Sequence, residues 1–146
     1  MDHAQSWSIS ETEALYRTQD WGQGYFKIHE DGNLHAYPMG AQGISVDLHE
    51  IVSGLSERGI DTPLLLRFTG IVDHRLRTLR DAFAKAIEEN TYKGRYIAAY
   101  PIKVNQQHQV VDEITRYGHQ LGYGLEVGSK PELLAVMAMT VQTPDQ

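Results

Sequence analysis

Tyr96-Ile97-Ala98-Ala99-Tyr100-Pro101-Ile102-Lys103-Val104 is an unbroken apolar and aromatic run with a single lysine near its end. Without polar alternation it reads as a strand buried on both faces, and such strands belong to parallel sheets covered by helices. The flanks agree. Upstream, Val72, Leu76, Leu79, Phe83 and Ile87 step by four and three, the period of one helix face. Arg75, Arg77, Arg80 and Lys85 fall off that face and read as a solvated side. Before this helix, Pro63 introduces Leu64-Leu65-Leu66-Arg67-Phe68, an apolar run of strand length. Downstream, Val110, Val111, Ile114 and Tyr117 predict a helix over 106–117, stopped by Gly118. Leu125-Glu126-Val127 follows as a short strand, and Ser129 with Glu132 makes a capping box for a helix through Met139. From Pro63 onward the order is strand, helix, strand, helix, strand, helix. That alternation predicts an α/β fold with parallel strands.

The residues ahead of Pro63 follow other periods. Tyr25-Phe26-Lys27-Ile28-His29 and Leu34-His35-Ala36-Tyr37 are β-favouring and flank Asp31-Gly32, a hairpin signal. Pro38, Gly40 and Gly43 break the sheet. Leu48, Ile51, Val52 and Leu55 predict a helix over 46–58, with Asp47 and Glu50 at capping-box spacing and Gly59 as its stop. The first twenty residues are polar, with at most a turn or two of helix over 11–17. Three segments follow: a polar stretch at 1–20, a β-hairpin element at 21–43, and an α/β region at 44–146. There is no internal repeat and no low-complexity tract.

Composition narrows the classes. Hydrophobic residues make up 41% and charged residues 22% of 146, which suits a globular domain with a real core. The net charge of −6 and the lack of any basic run argue against nucleic acid as a partner. With no cysteine, disulfides, thiolate metal sites and a cysteine nucleophile are excluded. No apolar stretch approaches the roughly 20 residues that span a bilayer, and residues 1–10 lack the apolar core of a signal peptide. A soluble cytoplasmic protein, with no membrane partner, is the expectation.

In a sheet of this kind, ligands gather at the carboxyl ends of the strands. Lys103 and Glu126 fall there. A lysine among apolar neighbours has its ammonium form penalised, which frees the neutral amine to attack a carbonyl. The other reading is a lysine snorkelling from a strand end, its charge in solvent or paired with Glu126. Both stay open on the pattern alone. Gly124 to Lys130 lacks the spacing of a phosphate-binding loop. The seven histidines are scattered, and no metal site is expected. His29 and His35 can face each other across the hairpin, and a polar cross-strand pair is expected there.

Tyr100-Pro101-Ile102-Lys103-Val104-Asn105-Gln106 resembles the cofactor-lysine segment of the biosynthetic arginine decarboxylases, which are alanine-racemase-like (fold type III) pyridoxal-phosphate enzymes. Gly124-Leu125-Glu126-Val127-Gly128-Ser129-Lys130-Pro131-Glu132-Leu133 is similar to a second block of that family, with valine at 127 where alanine is usual and a proline at 131. The Trp21-Gly22 to Tyr25-Phe26 start and Asp73-His74-Arg75-Leu76 are similar to its opening region. The resemblance covers about residues 20–139. Val141 to Gln146 departs from it.

The resemblance implies that the α/β region is the beginning of a (β/α)8 TIM barrel of the alanine-racemase type. It implies pyridoxal 5'-phosphate held as a Schiff base on Lys103, and decarboxylation of L-arginine to agmatine and carbon dioxide. Glu126 would lie near the lysine and help set its protonation, with Glu132 in a neighbouring shell. Their plainer readings are an ion-pair partner and a helix cap. Magnesium as a further cofactor and a homo-oligomeric full-length form are likewise implied. Such a barrel takes about 250 residues. The chain alone is therefore expected to be an inactive fragment. The competing expectation is a non-catalytic chain that binds a full-length decarboxylase subunit, and a small independent binding module is a third.

Overall fold

In a computed structural model that describes residues 7–41 and 43–141, the chain divides into two units, Met1–Ile71 and Val72–Gln146. The first unit is organised by the turn at Asp31-Gly32. Asp31 Oδ1 accepts the backbone N–H of Asn33 at 2.8 Å, and Gly32 takes φ +88°, which glycine tolerates without strain. The turn pairs β1 (Phe26–Ile28) with β2 (Leu34–Ala36) in antiparallel register, as the hairpin signal predicts. A third strand, β3 (Val46–Asp47), adds to the free edge of β2.

The sheet has a clear apolar side. Phe26 pairs with Ala36, which pairs with Val46. Ala36 is fully buried, and Phe26 lies 5.5 Å from the ring of Trp21 and edge-on to Phe68 at 6.1 Å. Lys27, His35 and Asp47 share the other side. Ahead of the sheet, α1 (Ile9–Tyr16) is capped by Ser8, whose Oγ accepts the Glu11 N–H at 3.3 Å, and α2 (Thr18–Gly22) follows.

Two expectations need correction in this unit. The helix predicted over 46–58 starts later, as α3 (Leu48–Ser56), because Val46 and Asp47 are used to cover the edge of β2. Asp47 then serves as the cap itself, its Oδ1 accepting the N–H groups of His49 and Glu50. Gly59, at φ +77°, closes the far end where Ile60 N–H reaches Leu55 O at 3.0 Å. Leu64 to Phe68 is not a strand. Apolar composition alone makes no ladder, no strand among the described residues includes this run, and Leu65 is left exposed.

The second unit carries the parallel pairing. A long helix, α4 (Thr69–Glu89), leads into β4 (Ala99–Pro101), one turn of 3-10 helix (Ile102–Val104), α5 (His108–Gln120), β5 (Gly124–Glu126) and α6 (Lys130–Val141). β4 and β5 are parallel, Ala99 opposite Gly124 and Pro101 opposite Glu126, with α5 as the crossover. Ile102, Val111 and Ile114 are the buried apolar centre.

The run from Tyr96 to Val104 is thus a much shorter strand than its composition predicts, and Ile97 is 62% exposed. β4 has one ladder partner among the described residues, and Pro101 supplies no N–H to extend the ladder. Nor does Gly118 stop α5. It lies buried inside the helix, where a Cβ would sit 2.9 Å from Tyr123 Cβ. Gly122, at φ +76°, is the stop, and Tyr123 N–H returns to Gly118 O at 2.9 Å.

Candidate functional site

The parallel register brings the carboxyl ends of β4 and β5 level. Pro101 lies opposite Glu126, and the 3-10 turn then carries Lys103 beyond the sheet edge. The two predicted site residues meet there. Lys103 Nζ is 3.8 Å from Glu126 Oε1, with the side chains 62% and 45% exposed. The lysine expected to be buried within a strand is therefore exposed on a turn, because the strand ends two residues earlier. Its amine is open to a carbonyl compound from solvent, and Glu126 is its ion-pair partner.

The surroundings are set by short local contacts. Tyr100 Oη donates to Asn105 O at 3.3 Å, holding the turn back against the strand. Asn105 Oδ1 accepts the Gln107 N–H at 3.0 Å and so starts α5. Ser129 Oγ accepts the Glu132 N–H at 3.4 Å, while Glu132 Oε2 accepts the Gly128 N–H at 2.7 Å. The predicted capping box thus forms, with the returning carboxylate reaching one residue further back. Gln106 Nε2 also reaches Glu132, at 3.5 Å. A cavity of about 190 Å³ lies beside this cap, bordered by Ile102, Gln106, Val111, Glu132 and Met139. Lys103 is not among its walls.

Pyridoxal phosphate needs an amine to hold its aldehyde and backbone donors to cradle its phosphate. The amine fits. In the loop before α6, the Gly128 N–H is already taken by Glu132 and the Glu132 N–H by Ser129, so neither amide is open to a phosphate. Among the described residues this edge can hold the aldehyde end of the cofactor, with Glu126 as a counter-charge.

A second cluster was only half visible in the sequence. His29 and His35 do face each other across the hairpin, their rings stacked at 4.3 Å. The turn residue Asp31 reaches both, its Oδ2 lying 3.2 Å from His29 Nδ1 and 3.0 Å from His35 Nε2. Asp47 Oδ2 is 3.8 Å from His35 Nε2 and accepts from Asn33 Nδ2 at 2.8 Å. Asp31 is pulled below the usual carboxylate range, first by the Asn33 N–H, with both imidazoles adding to it. Desolvation pushes Asp47 up, but hydrogen bonds from Asn33, Glu50 and His49 outweigh it and the net direction is down. Two histidines six positions apart with Asp31-Gly32 between them are the signal the sequence offers.

No family model matches the chain. The biosynthetic arginine decarboxylase of Thermosynechococcus vestitus is 45% identical over 139 residues, covering 95% of this chain and 22% of that protein. The Pseudomonas aeruginosa enzyme of the same name is 44% identical over 138 residues, covering 94% of this chain and 22% of that protein. Among solved structures, the biosynthetic arginine decarboxylase of Campylobacter jejuni matches with a TM-score of 0.75 and 35% identity. That match covers 85% of this chain and 20% of the other. The chain spans about a fifth of the length of the relatives it matches. Across nearly all of its length, this chain is similar to a part of the biosynthetic arginine decarboxylases.

Proposed function

We propose that these residues supply the cofactor-lysine edge of a pyridoxal-phosphate-dependent arginine decarboxylase, which converts L-arginine to agmatine and carbon dioxide. The observation that carries this reading is the placement of Lys103. Its amine stands beyond the carboxyl end of a parallel strand, open to solvent and beside one carboxylate. When bound, pyridoxal phosphate supplies an electron sink for the pair left behind by departing carbon dioxide. Lys103 would hold the cofactor, and Glu126 would steady the charge on the lysine nitrogen and hold a proton near it. Glu132 acts through Gly128, fixing the loop that follows β5.

In this reading β4, α5 and β5 are one repeat of a (β/α)8 barrel, and the enzyme works in the cytoplasm as a homo-oligomer, with magnesium as a further ligand. Among the described residues, no helix is long and apolar enough to cross a membrane. The 146 residues by themselves are expected to release no carbon dioxide from arginine, since among the described residues the edge holds an amine and a counter-charge but no open phosphate cradle.

The test is to incubate the chain with pyridoxal phosphate, reduce with borohydride and map the modified peptides. Label concentrated on Lys103 over Lys27, Lys85, Lys93 and Lys130, and reduced in Glu126→Gln, is the expected result. Label spread evenly over the lysines would sink the reading.

The non-catalytic reading, in which this chain docks on a full-length decarboxylase subunit, is favoured by different residues. Leu79 and Phe83 on α4 are 45% and 44% exposed, and Leu134 on α6 is 65% exposed. Apolar helix faces left open in this way call for further protein. Co-elution of the chain with an intact arginine decarboxylase in size-exclusion chromatography would support it, and separate elution would count against it.

A further inference from the structure

The hairpin face of the first unit gathers donors that the decarboxylase reading does not use. We propose that His29 Nδ1, Asp31 Oδ2 and His35 Nε2 form a site for one divalent ion of the zinc class, with the Asp47 carboxylate completing the shell directly or through a water.

The geometry comes from the pleat. His35 sits opposite Asp47 on β3, and His29 lies one residue past β1 on the same side, diagonal to His35. Asp31 closes the group from the turn. Each of His29, Asp31 and His35 offers one donor atom within 4.8 Å of those of the other two. Zinc–nitrogen and zinc–oxygen bonds are about 2.0–2.2 Å long, so neighbouring donors on a tetrahedral ion stand about 3.3 Å apart. The two distances to Asp31 Oδ2, 3.2 and 3.0 Å, are already of that size. The side chains of His29 and Asp31 are both 42% exposed, which leaves them room to adjust about an ion.

The second observation is an orphan atom. The His29 ring is partly exposed, yet its Nδ1 is turned inward, shielded from solvent and without a hydrogen-bond partner. Asp31 Oδ2 lies near it but is aligned with His35 instead. A shielded nitrogen that faces a carboxylate at 3.2 Å without an aligned hydrogen bond gains from a cation placed between the two. A cation between the imidazoles and the carboxylate would satisfy that nitrogen.

The outer contacts suit ligation too. Ser45 Oγ lies 3.2 Å from His35 Nδ1 and can accept its proton, which leaves the Nε2 lone pair facing the site. The Asn33 N–H holds Asp31 Oδ1, leaving Oδ2 for the ion, and Asn33 Nδ2 orients Asp47. Two imidazoles and two carboxylates offset a dication's charge and match zinc, cobalt or nickel. Magnesium and calcium prefer all-oxygen shells. A bound ion would tie the turn to β3 and brace a sheet whose strands are two or three residues long.

The test is titration of the tag-free chain with zinc chloride by calorimetry, with cobalt(II) absorption as a second readout. One saturable equivalent is expected, weakened at least tenfold in His29→Ala and in Asp31→Asn and unchanged in His119→Ala. Magnesium chloride should give no such binding. On the unsubstituted chain, the ring signals of His29 and His35 should shift together in NMR spectra, which covers the case of a variant that fails to fold. Absence of saturable zinc binding, zinc binding that survives His29→Ala unchanged, or ring signals that stay still would each overturn the proposal and leave a stacked cross-strand pair only.

Discussion

The hairpin cluster and the Lys103 edge are built by opposite means. In the first unit His35 is buried, hydrogen-bonded at both ring nitrogens and fixed by two ladder neighbours. Lys103 has an ion-pair partner at 3.8 Å, and the two side chains are 62% and 45% exposed. Exposed pairs of this kind contribute about 0–1 kcal/mol. What fixes the edge is the backbone beneath it: the parallel register, the 3-10 turn and the packing of α5. A preorganised cluster should respond to changes in its own side chains, whereas the lysine edge should respond to changes in its scaffold.

The largest effect should come from that scaffold. Gly118→Val puts side-chain atoms where a Cβ alone would already stand 2.9 Å from Tyr123 Cβ. Tyr123 is tied in place by its hydroxyl, which donates to Leu76 O at 3.0 Å, so it has little room to yield. A loss of at least about 2 kcal/mol is expected, read as a lower urea midpoint. Amide exchange should rise first in α5 and β5. Unchanged exchange there would show that the strand ends do not depend on this contact.

Asp47→Ala is the matching change in the first unit. It removes the two-amide cap of α3, the partner of Asn33 and a carboxylate near His35. The melting temperature should fall by about 3–5 °C. Trp7 and Trp21, the two tryptophans of the chain, both belong to this unit, so their fluorescence should report the loss.

The two units should also part company in pH. Asp31 and Asp47 are both held below their ordinary value of 3.8. Their folded forms favour the carboxylate, so that stability is present above about pH 4 and is lost as pH falls through the lowered values. Tyr123 is pushed above its ordinary 10.0, first by burial and then by Tyr96. Its contribution is present below pH 10 and is lost as pH rises through the raised value. Exchange protection should therefore fail first at acid in the hairpin and first at alkali around β5. The reverse order would refute this assignment of charge.

How much of this was legible follows from what each feature needs. The Asp31-Gly32 hairpin, the face of α4 and the Ser129–Glu132 cap were readable because turn chemistry, period and capping are local. The length of β4 was not, since a strand ends where its ladder ends, and composition does not reveal partners. Leu64 to Phe68 failed for the same reason. A glycine that stops a helix and one that admits a neighbouring side chain look alike in sequence, so Gly118 predicts a stop where the structure has a packing position. Lys103 and Glu126 do lie side by side, but apolar neighbours in the sequence predict a burial that the turn prevents. The hairpin cluster needs register, and register places His35 between Lys27 and Asp47 only once β3 is known.

The smallest effect on stability, and the sharpest on chemistry, should come from Lys103→Met. Its ammonium is solvated and its one charged neighbour is itself exposed, so the urea midpoint should move by no more than about 0.5 kcal/mol-equivalent. Borohydride trapping of pyridoxal phosphate at this edge should vanish nonetheless. Glu126→Gln separates the two roles further. It keeps the side chain's shape and the Pro101–Glu126 register while removing the counter-charge, so it should leave the fold intact and lower the labelling of Lys103. A midpoint shift in Lys103→Met as large as that of Gly118→Val would mean that the lysine is structural. The contrast between a preorganised hairpin and a scaffold-held lysine would then collapse.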